Sequence, residues 1–272
     1  INGRGEGNWD DYITFMKSQL TELLTNYGKI GGIWFDGEWD QFKWDGKRFG
    51  EPMADFKLGE VYSLIHELQP QALIGSNHHL APNPGEDFQM FEKDLPGRST
   101  KSFATSADDI GNLPLEVCET INGSWGFNLK DRKHKSKKEL IQYLIKAAGY
   151  DSNLLLNVGP MPNGRIQKEH IKSLSEIGQW VKLNGETIYG TNRGPIDPTD
   201  EIASTQKDNT IYIHLLDNKT TYFIEGYNPK IKKITYYHSN KKVSYQKTKS
   251  GLIINISQEE LNEIDTIIKI EI

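Results

Sequence analysis

The densest group of residues that could do chemistry is Trp34-Phe35-Asp36-Gly37-Glu38-Trp39-Asp40, at the end of a short apolar run. Indole faces cover the apolar faces of a pyranose ring, so Trp34 and Trp39 are candidate substrate-binding residues. Asp36, placed among them, is a candidate nucleophile for the anomeric carbon of a sugar. The alternative is that Asp36 caps the following turn and the tryptophans only pack at the strand end.

This chemistry needs a second carboxyl group. In a retaining glycosidase the second group protonates the departing oxygen and lies about 5–5.5 Å from the nucleophile. Spacing along the chain does not choose among the candidates, because each lies in a stretch where a carboxylate is often simply solvated. The six candidates are Glu86, Asp87, Glu92, Asp94, Glu116 and Glu119.

Two weaker patterns follow other predicted strands. His78 and His79 are adjacent, and neighbouring residues in an extended chain point to opposite sides. No Cys or His stands at a metal-like spacing from them, which favours a hydrogen bond to substrate over a metal site. The glycine-flanked loop 122–128 contains Trp125 and is equally consistent with a binding wall and with plain turn chemistry. We expect neither a metal nor an organic cofactor.

Strands and helices alternate in the first part of the chain. Three-and-four apolar spacing predicts amphipathic helices, and short apolar runs predict buried strands. The last of the helices should turn Ile171, Leu174, Ile177 and Val181 inward. This order favours parallel β/α units with catalytic groups just past the carboxyl ends of the strands. The predicted helices cover 8–27, 61–68, 136–145 and 166–183, and the strands 29–36, 72–76, 115–121 and 153–159.

The pattern of residue types changes after about residue 195. Short runs rich in Ile, Tyr, Thr and Val are separated by Asn, Lys and Gly, which is typical of a small antiparallel β-sandwich. The six predicted strands are 210–216, 220–226, 232–238, 243–249, 251–256 and 266–272. We predict two domains, 1–194 and 195–272. A (β/α)₈ barrel needs roughly eight strand–helix pairs and 200 residues or more, whereas the first domain offers about half of the pairs. The fold class is therefore α/β: the C-terminal half of a TIM-like barrel, followed by the sandwich.

Composition excludes several classes of partner. The 272 residues carry 32 basic and 37 acidic side chains, with no basic stripe, which disfavours nucleic acid. No apolar run is long enough for a membrane-spanning helix. The single cysteine fits a reducing compartment, so a cytoplasmic location is expected, although secretion stays open because the chain begins without Met. The oligomeric state, including a homo-oligomer, is left open.

Taken together, four motifs in order resemble those of the family 29 glycoside hydrolases, the α-L-fucosidases, in their bacterial form. The resemblance extends over residues 1 to about 196, and the glycine-rich opening segment adds to it. The predicted sandwich resembles the family only in its general type and carries none of these motifs. The motifs are Gly32-Ile33-Trp34-Phe35-Asp36-Gly37, Asp87-Phe88-Gln89-Met90-Phe91-Glu92, Thr120-Ile121-Asn122-Gly123-Ser124-Trp125-Gly126-Phe127-Asn128 and Asn153-Leu154-Leu155-Leu156-Asn157-Val158-Gly159-Pro160.

The resemblance implies a role for several residues. Asp36 matches the family nucleophile, and Glu92 matches the acid/base, with Glu86 as the alternative. The implied reaction is release of L-fucose from fucosylated glycans by double displacement. Trp34 and Trp125 match positions that shape the fucose pocket, and Trp125 is expected to face the C6 methyl group.

Two further positions match less directly. His79 stands where some relatives carry a substrate-contacting Arg, and Glu116 matches a supporting Glu. The sugar-gripping histidines of the family lie upstream of its nucleophile, so we expect the parent protein or a second chain to supply the N-terminal half of the barrel.

Two rival functions remain at this point. A non-catalytic fucose- or galactose-binding protein would keep the tryptophan-lined pocket without a working carboxyl pair. A barrel glycosidase of different specificity would accept a hydroxymethyl group where fucose has a methyl. The sequence does not determine the linkage that is cut, or whether sugar transfer competes with hydrolysis.

Overall fold

The computed structural model describes residues 7–44, 49–78, 81–98 and 110–272. It is a mixed α/β chain that divides into two compact units, Ile1–Val117 and Cys118–Ile272. Among the described residues, no helix combines the length and the apolar character needed to cross a membrane.

The first unit combines helices with short strands. Strand β6 begins in this unit, where β5 is its neighbour, and ends in the second unit. The elements are α1 (Trp9–Asn26), β1 (Gly32–Phe35), β2 (Phe42–Trp44), β3 (Phe49–Pro52), α2 (Leu58–Leu68), β4 (Leu73–Ser76), β5 (Gln89–Glu92) and β6 (Leu115–Thr120).

Strands β1 and β4 form a parallel pair, in register from Gly32↔Leu73 to Phe35↔Ser76. The strands approach closely at the start of the pair, because a Cβ on Gly32 would lie 2.6 Å from the Leu73 carbonyl oxygen. Helices α1 and α2 pack on this pair through a shared core. The buried members of this core are Leu20, Leu24, Val61, Tyr62, Ile65, Ala72 and Ile74.

The second unit holds two antiparallel sheets and two long helices. The five-stranded sheet has the order β12-β15-β10-β9-β8, and the three-stranded sheet the order β11-β14-β13. The elements after β6 are α3 (Lys137–Gly149), β7 (Ser152–Asn157), α4 (Lys168–Asn184), β8 (Asn192–Arg193), β9 (Ile202–Lys207), β10 (Thr210–Leu215), β11 (Thr221–Glu225), β12 (Lys233–Tyr236), β13 (Ser244–Thr248), β14 (Gly251–Asn255) and β15 (Thr266–Glu271).

The five-stranded sheet is covered on both faces. Alternating side chains of β10 point to opposite sides, with Ile211 and Ile213 facing β11 and β14 in the sandwich core. Tyr212 on the other face packs with Ile145 of α3 and Trp180 of α4 in a second cluster. The sandwich and the two helices therefore share one sheet.

The predicted strands at 72–76, 115–121 and 153–159 and all six predicted sandwich strands from 210 onward are present within two residues. Elements β2, β3, β5, β8 and β9 were not predicted.

The inward face predicted for α4 is wrong in part. Ile171 is 54% exposed and Leu174 is also exposed, because His170, Ser173 and Trp180 form the buried face. The contact-based division at 117/118 differs from the predicted domain boundary at 194/195, which remains a prediction about domains.

We predict that breaking the buried pair His214–Asp265 destabilises the fold much more than breaking a surface pair. Its Nδ1–Oδ2 distance is 2.8 Å and neither side chain is exposed to solvent. Asp265→Ala should lower the free energy of unfolding by about 2–4 kcal/mol, because it leaves a buried imidazole without its partner. The matched control is Asp197→Ala, which breaks the exposed Arg193–Asp197 pair and should change it by less than about 1 kcal/mol. Equal effects in urea unfolding would contradict the prediction.

Candidate active site

Asp36 and Asn77 lie side by side because they follow two paired strands. Asp36 comes directly after β1 and Asn77 directly after β4. The hydrogen-bond ladder continues past the strands, since the Asn77 backbone N–H donates to the Phe35 carbonyl oxygen at 2.9 Å. The carboxyl ends of the two strands therefore present both side chains at one edge.

The Asn77 side chain joins Asp36 to Glu92. Its Nδ2 donates to Asp36 Oδ1 at 3.2 Å and to Glu92 Oε2 at 2.8 Å. The two accepting oxygens can lie no farther apart than the sum of these distances, about 6 Å. Asp36 is exposed and Glu92 half-buried, so both remain near solvent. The structure thus brings together the two residues that the resemblance pairs.

Trp34 lies two residues before Asp36 and so projects from the same side of β1. It is 41% exposed, which leaves its ring open to a ligand. The indole N–H donates to the Glu116 side chain. Burial raises the pKa of Glu116, and this hydrogen bond acts in the opposite direction. This hydrogen bond therefore helps to fix the orientation of the Trp34 ring.

Glu86 belongs to a buried polar network. It is 6% exposed, and its Oε1 lies 2.9 Å from His78 Nε2 and accepts from Tyr62 Oη at 3.1 Å. Burial raises the pKa of the neighbouring Glu38, with a smaller lowering by His78 and a smaller raising by Glu86. A carboxyl group enclosed in this way lacks the access that a proton donor to a sugar needs. The geometry therefore favours Glu92 over Glu86.

Two other candidate carboxylates have structural partners. Asp87 Oδ2 lies 3.0 Å from His66 Nε2 and accepts from the Ile74 backbone N–H at 2.8 Å. Glu119 accepts from the Thr120 backbone N–H at 2.7 Å and pairs with Lys135 at 3.2 Å. Asp94 is buried. Within the described part of the chain, Glu92 is the candidate that shares a hydrogen-bond donor with Asp36.

The structure describes only some of the remaining predicted binding residues. His79 lies outside the described residues. Trp39 belongs to the helical turn Glu38–Gln41, but its side chain is outside the description. Trp125 lies in the second unit, where it is partly exposed and its carbonyl oxygen accepts from Asn157 Nδ2 at 2.8 Å. These three remain predicted binding residues.

Sequence reasoning missed Asn77 as a member of the site. The available signal was its position directly after a predicted strand, the same position that drew attention to Asp36. An amide has no charge and titrates at no ordinary pH, so a search for catalytic groups passes over it.

A carboxyl pair at neighbouring strand ends, beside an exposed tryptophan, is an arrangement that glycoside hydrolases use. The sequence comparison is more specific: the family model described as Alpha-L-fucosidase matches residues 2–186. The chain therefore belongs to the α-L-fucosidase family.

Individual relatives agree with this assignment. A protein named α-L-fucosidase from Dictyostelium discoideum is 34% identical over 190 residues, which cover 65% of this chain and 35% of the relative. The structure of α-L-fucosidase isoenzyme 1 from Paenibacillus thiaminolyticus matches with a TM-score of 0.75 and 30% identity, over 98% of this chain and 64% of that one. A Thermotoga maritima α-fucosidase, solved with a mechanism-based inhibitor, shares the fold at TM-score 0.71 and 22% identity, over 96% and 57% of the two chains. The chain thus spans about a third of the Dictyostelium relative.

We predict that Glu116→Gln changes how stability depends on pH. Burial raises the folded-state pKa of Glu116, so the stability contributed by its protonated form is lost as pH rises through that pKa. Gln stays neutral and can still accept from Trp34. The melting temperature of the wild type minus that of the variant should therefore fall as the pH rises above 4.5, the ordinary pKa of a Glu carboxyl group. The control is Glu67→Gln, at an exposed position of α2, which gives the effect on the melting temperature of removing a solvent-exposed carboxyl group. A difference that is flat or rises with pH would contradict the prediction.

Proposed function

We propose that the full-length protein is a retaining α-L-fucosidase that releases L-fucose from fucosylated glycans. The carrying observation is the amide bridge between Asp36 and Glu92, which limits their accepting oxygens to about 6 Å. Retaining glycosidases hold their carboxyl groups about 5–5.5 Å apart, and inverting enzymes about 6.5–9.5 Å apart. The bound supports the retaining geometry, and family membership supports fucose as the sugar.

The proposed reaction has two displacements at the anomeric carbon. Asp36 attacks this carbon as the glycosidic bond breaks, and Glu92 gives its proton to the departing oxygen. Glu92 then takes a proton from the water that attacks the glycosyl–Asp36 ester, which frees fucose and restores both carboxyl groups. Trp34, Trp39, Trp125 and His79 are proposed to line the sugar pocket. None of these steps calls for a metal or an organic cofactor.

We also propose that residues 1–194 form the C-terminal part of a β/α barrel, completed by the parent chain or by a second chain. Exposed apolar side chains support this, because the strands of β/α units are normally covered on both faces. Phe15 of α1 is 62% exposed, and Leu73 of β4 and Leu155 of β7 are about half exposed. Additional β/α units would cover these surfaces.

The first test is release of the aryl group from an aryl α-L-fucoside by the full-length protein. Asp36→Ala should lower kcat by several orders of magnitude, because it removes the nucleophile. Added azide should restore part of the activity and give a β-fucosyl azide. Asp11→Ala, at an exposed position of α1, should behave as wild type. An inert wild type that binds fucose would favour the binding-protein alternative, and an active Asp36→Ala variant would remove Asp36 from the mechanism.

A second test addresses Glu92 through the leaving group. Glu92→Ala should reduce kcat/KM by about 10²–10⁴-fold for substrates with a poor leaving group, which need a proton from the enzyme. The loss should be much smaller for an activated leaving group such as 2,4-dinitrophenolate. Glu67→Ala, at an exposed site, is the matched control. Equal losses for both substrates would show that Glu92 is not the proton donor.

A further inference from the structure

The Asn77 amide is fully committed to the two carboxyl groups. Asn77 is 2% exposed, and an amide nitrogen has two N–H bonds. One bond is directed to Asp36 and the other to Glu92. Carboxylates so close together repel each other, and a neutral donor between them offsets that repulsion without itself titrating.

The orientation of the Asn77 amide leaves its oxygen atom without a hydrogen-bond partner among the described residues, which costs stability. In the described part of the chain, Asn77 Oδ1 is buried without a hydrogen-bond partner. Buried acceptors are normally paired, and leaving one unpaired costs about 1–3 kcal/mol. The reversed orientation would place Oδ1 against two carboxylate oxygens. The two carboxyl groups therefore fix this orientation.

Asn77 is also held rigidly. Its backbone N–H is bound to Phe35, and the next residue, His78, is fixed in the buried network with Glu86 and Tyr62. The amide therefore has little freedom to follow either carboxyl group if that group moves. A rigid donor sets the positions of its acceptors.

From this geometry we infer that Asn77 is a positioning residue that sets the spacing of Asp36 and Glu92 through both displacements. The inference rests on the proposed function. Before attack, Asp36 carries the negative charge and Glu92 the proton. After attack, Asp36 is an ester and Glu92 carries the charge, because its proton has left with the departing oxygen. One anionic acceptor faces the amide in both states, so Asn77 supports both steps with the same two bonds.

The test compares Asn77→Ala and Asn77→Asp with wild type, using an aryl α-L-fucoside and the full-length protein. Asn77→Ala should lower kcat about 10²-fold, as loss of alignment does in other enzymes. KM should change by less than about threefold, because neither N–H is available to bind the sugar. Asn77→Asp has nearly the same shape but adds a third carboxyl group, so it should lower kcat further.

The pH profile separates positioning from simple structural support. Losing a donor disfavours the single negative charge that the working pair carries, so the acid limb of kcat/KM should move to higher pH in Asn77→Ala, and farther in Asn77→Asp. If Asn77→Asp does not fold, Asn77→Ser takes its place. This variant retains one donor, so the acid limb of its pH profile should lie between those of wild type and Asn77→Ala. The matched control is Asn184→Asp. Asn184 is also buried, donates to the Trp180 carbonyl oxygen at 2.8 Å and has an unpaired Oδ1 among the described residues. This control should lose stability without a shift in the profile.

The outcomes distinguish this inference from the proposed function. An Asn77→Ala variant with wild-type kcat and pH profile overturns the inference while the fucosidase function stands. A variant that loses only melting temperature and folded fraction, with an unmoved pH profile, also overturns it. A wild type with no fucosidase activity removes the proposed function, and the inference with it.

Discussion

The register of β1 and β4 is the constraint from which the site follows. Pairing Gly32 with Leu73 and Phe35 with Ser76 ends both strands at the same level, so Asp36 and Asn77 become neighbours. Side chains alternate along a strand, and a slip of one residue would turn Trp34 and Asp36 to the opposite face. The missing Cβ at Gly32 permits the close approach that this register requires, and the α1–α2 core holds the pair in place.

The first unit contains two kinds of carboxyl group, and they differ in their surroundings. Glu86 is enclosed with His78 and Tyr62, where a buried charge needs partners to be tolerated. Asp36 and Glu92 stay accessible and share one neutral donor. The enclosed network fixes the chain that follows β4, and the accessible pair remains near solvent. The enclosed network therefore fixes the residue next to Asn77, and Asn77 contacts both groups that are proposed to react.

The sequence predicted Asp36 and the strand before it because a short apolar run ending on a carboxylate is a strong local pattern. It did not predict β5, which carries Glu92, since Gln89-Met90-Phe91-Glu92 has neither clear alternation nor a long apolar run. Choosing Glu92 from six carboxylates required either the family resemblance or three-dimensional contacts. The bridging role of Asn77 depends on distances between residues 36, 77 and 92, and no local pattern encodes those distances. The exposed face of α4 was mispredicted for a related reason, since periodicity identifies an apolar stripe but not what covers it.

The packing of the second unit explains why the boundary predicted near residue 195 differs from the contact-based boundary at 117/118. Helices α3 and α4 look like members of β/α repeats, yet their buried side chains pack on the five-stranded sheet. Gln142 of α3 also donates to the carbonyl oxygens of Leu216 and Ile264, at 2.5 and 2.8 Å, on chain far downstream. Through these contacts the sandwich immobilises the helix that follows the Trp125 loop. Asn157 binds the same loop through its side chain, and a Cβ on Gly159 would lie 2.6 Å from Gly126, so the two loops touch at backbone level. The C-terminal strands therefore hold α3, whereas Asn157 and Gly159 hold the predicted binding loop, and no residue of the sandwich is among the predicted site residues.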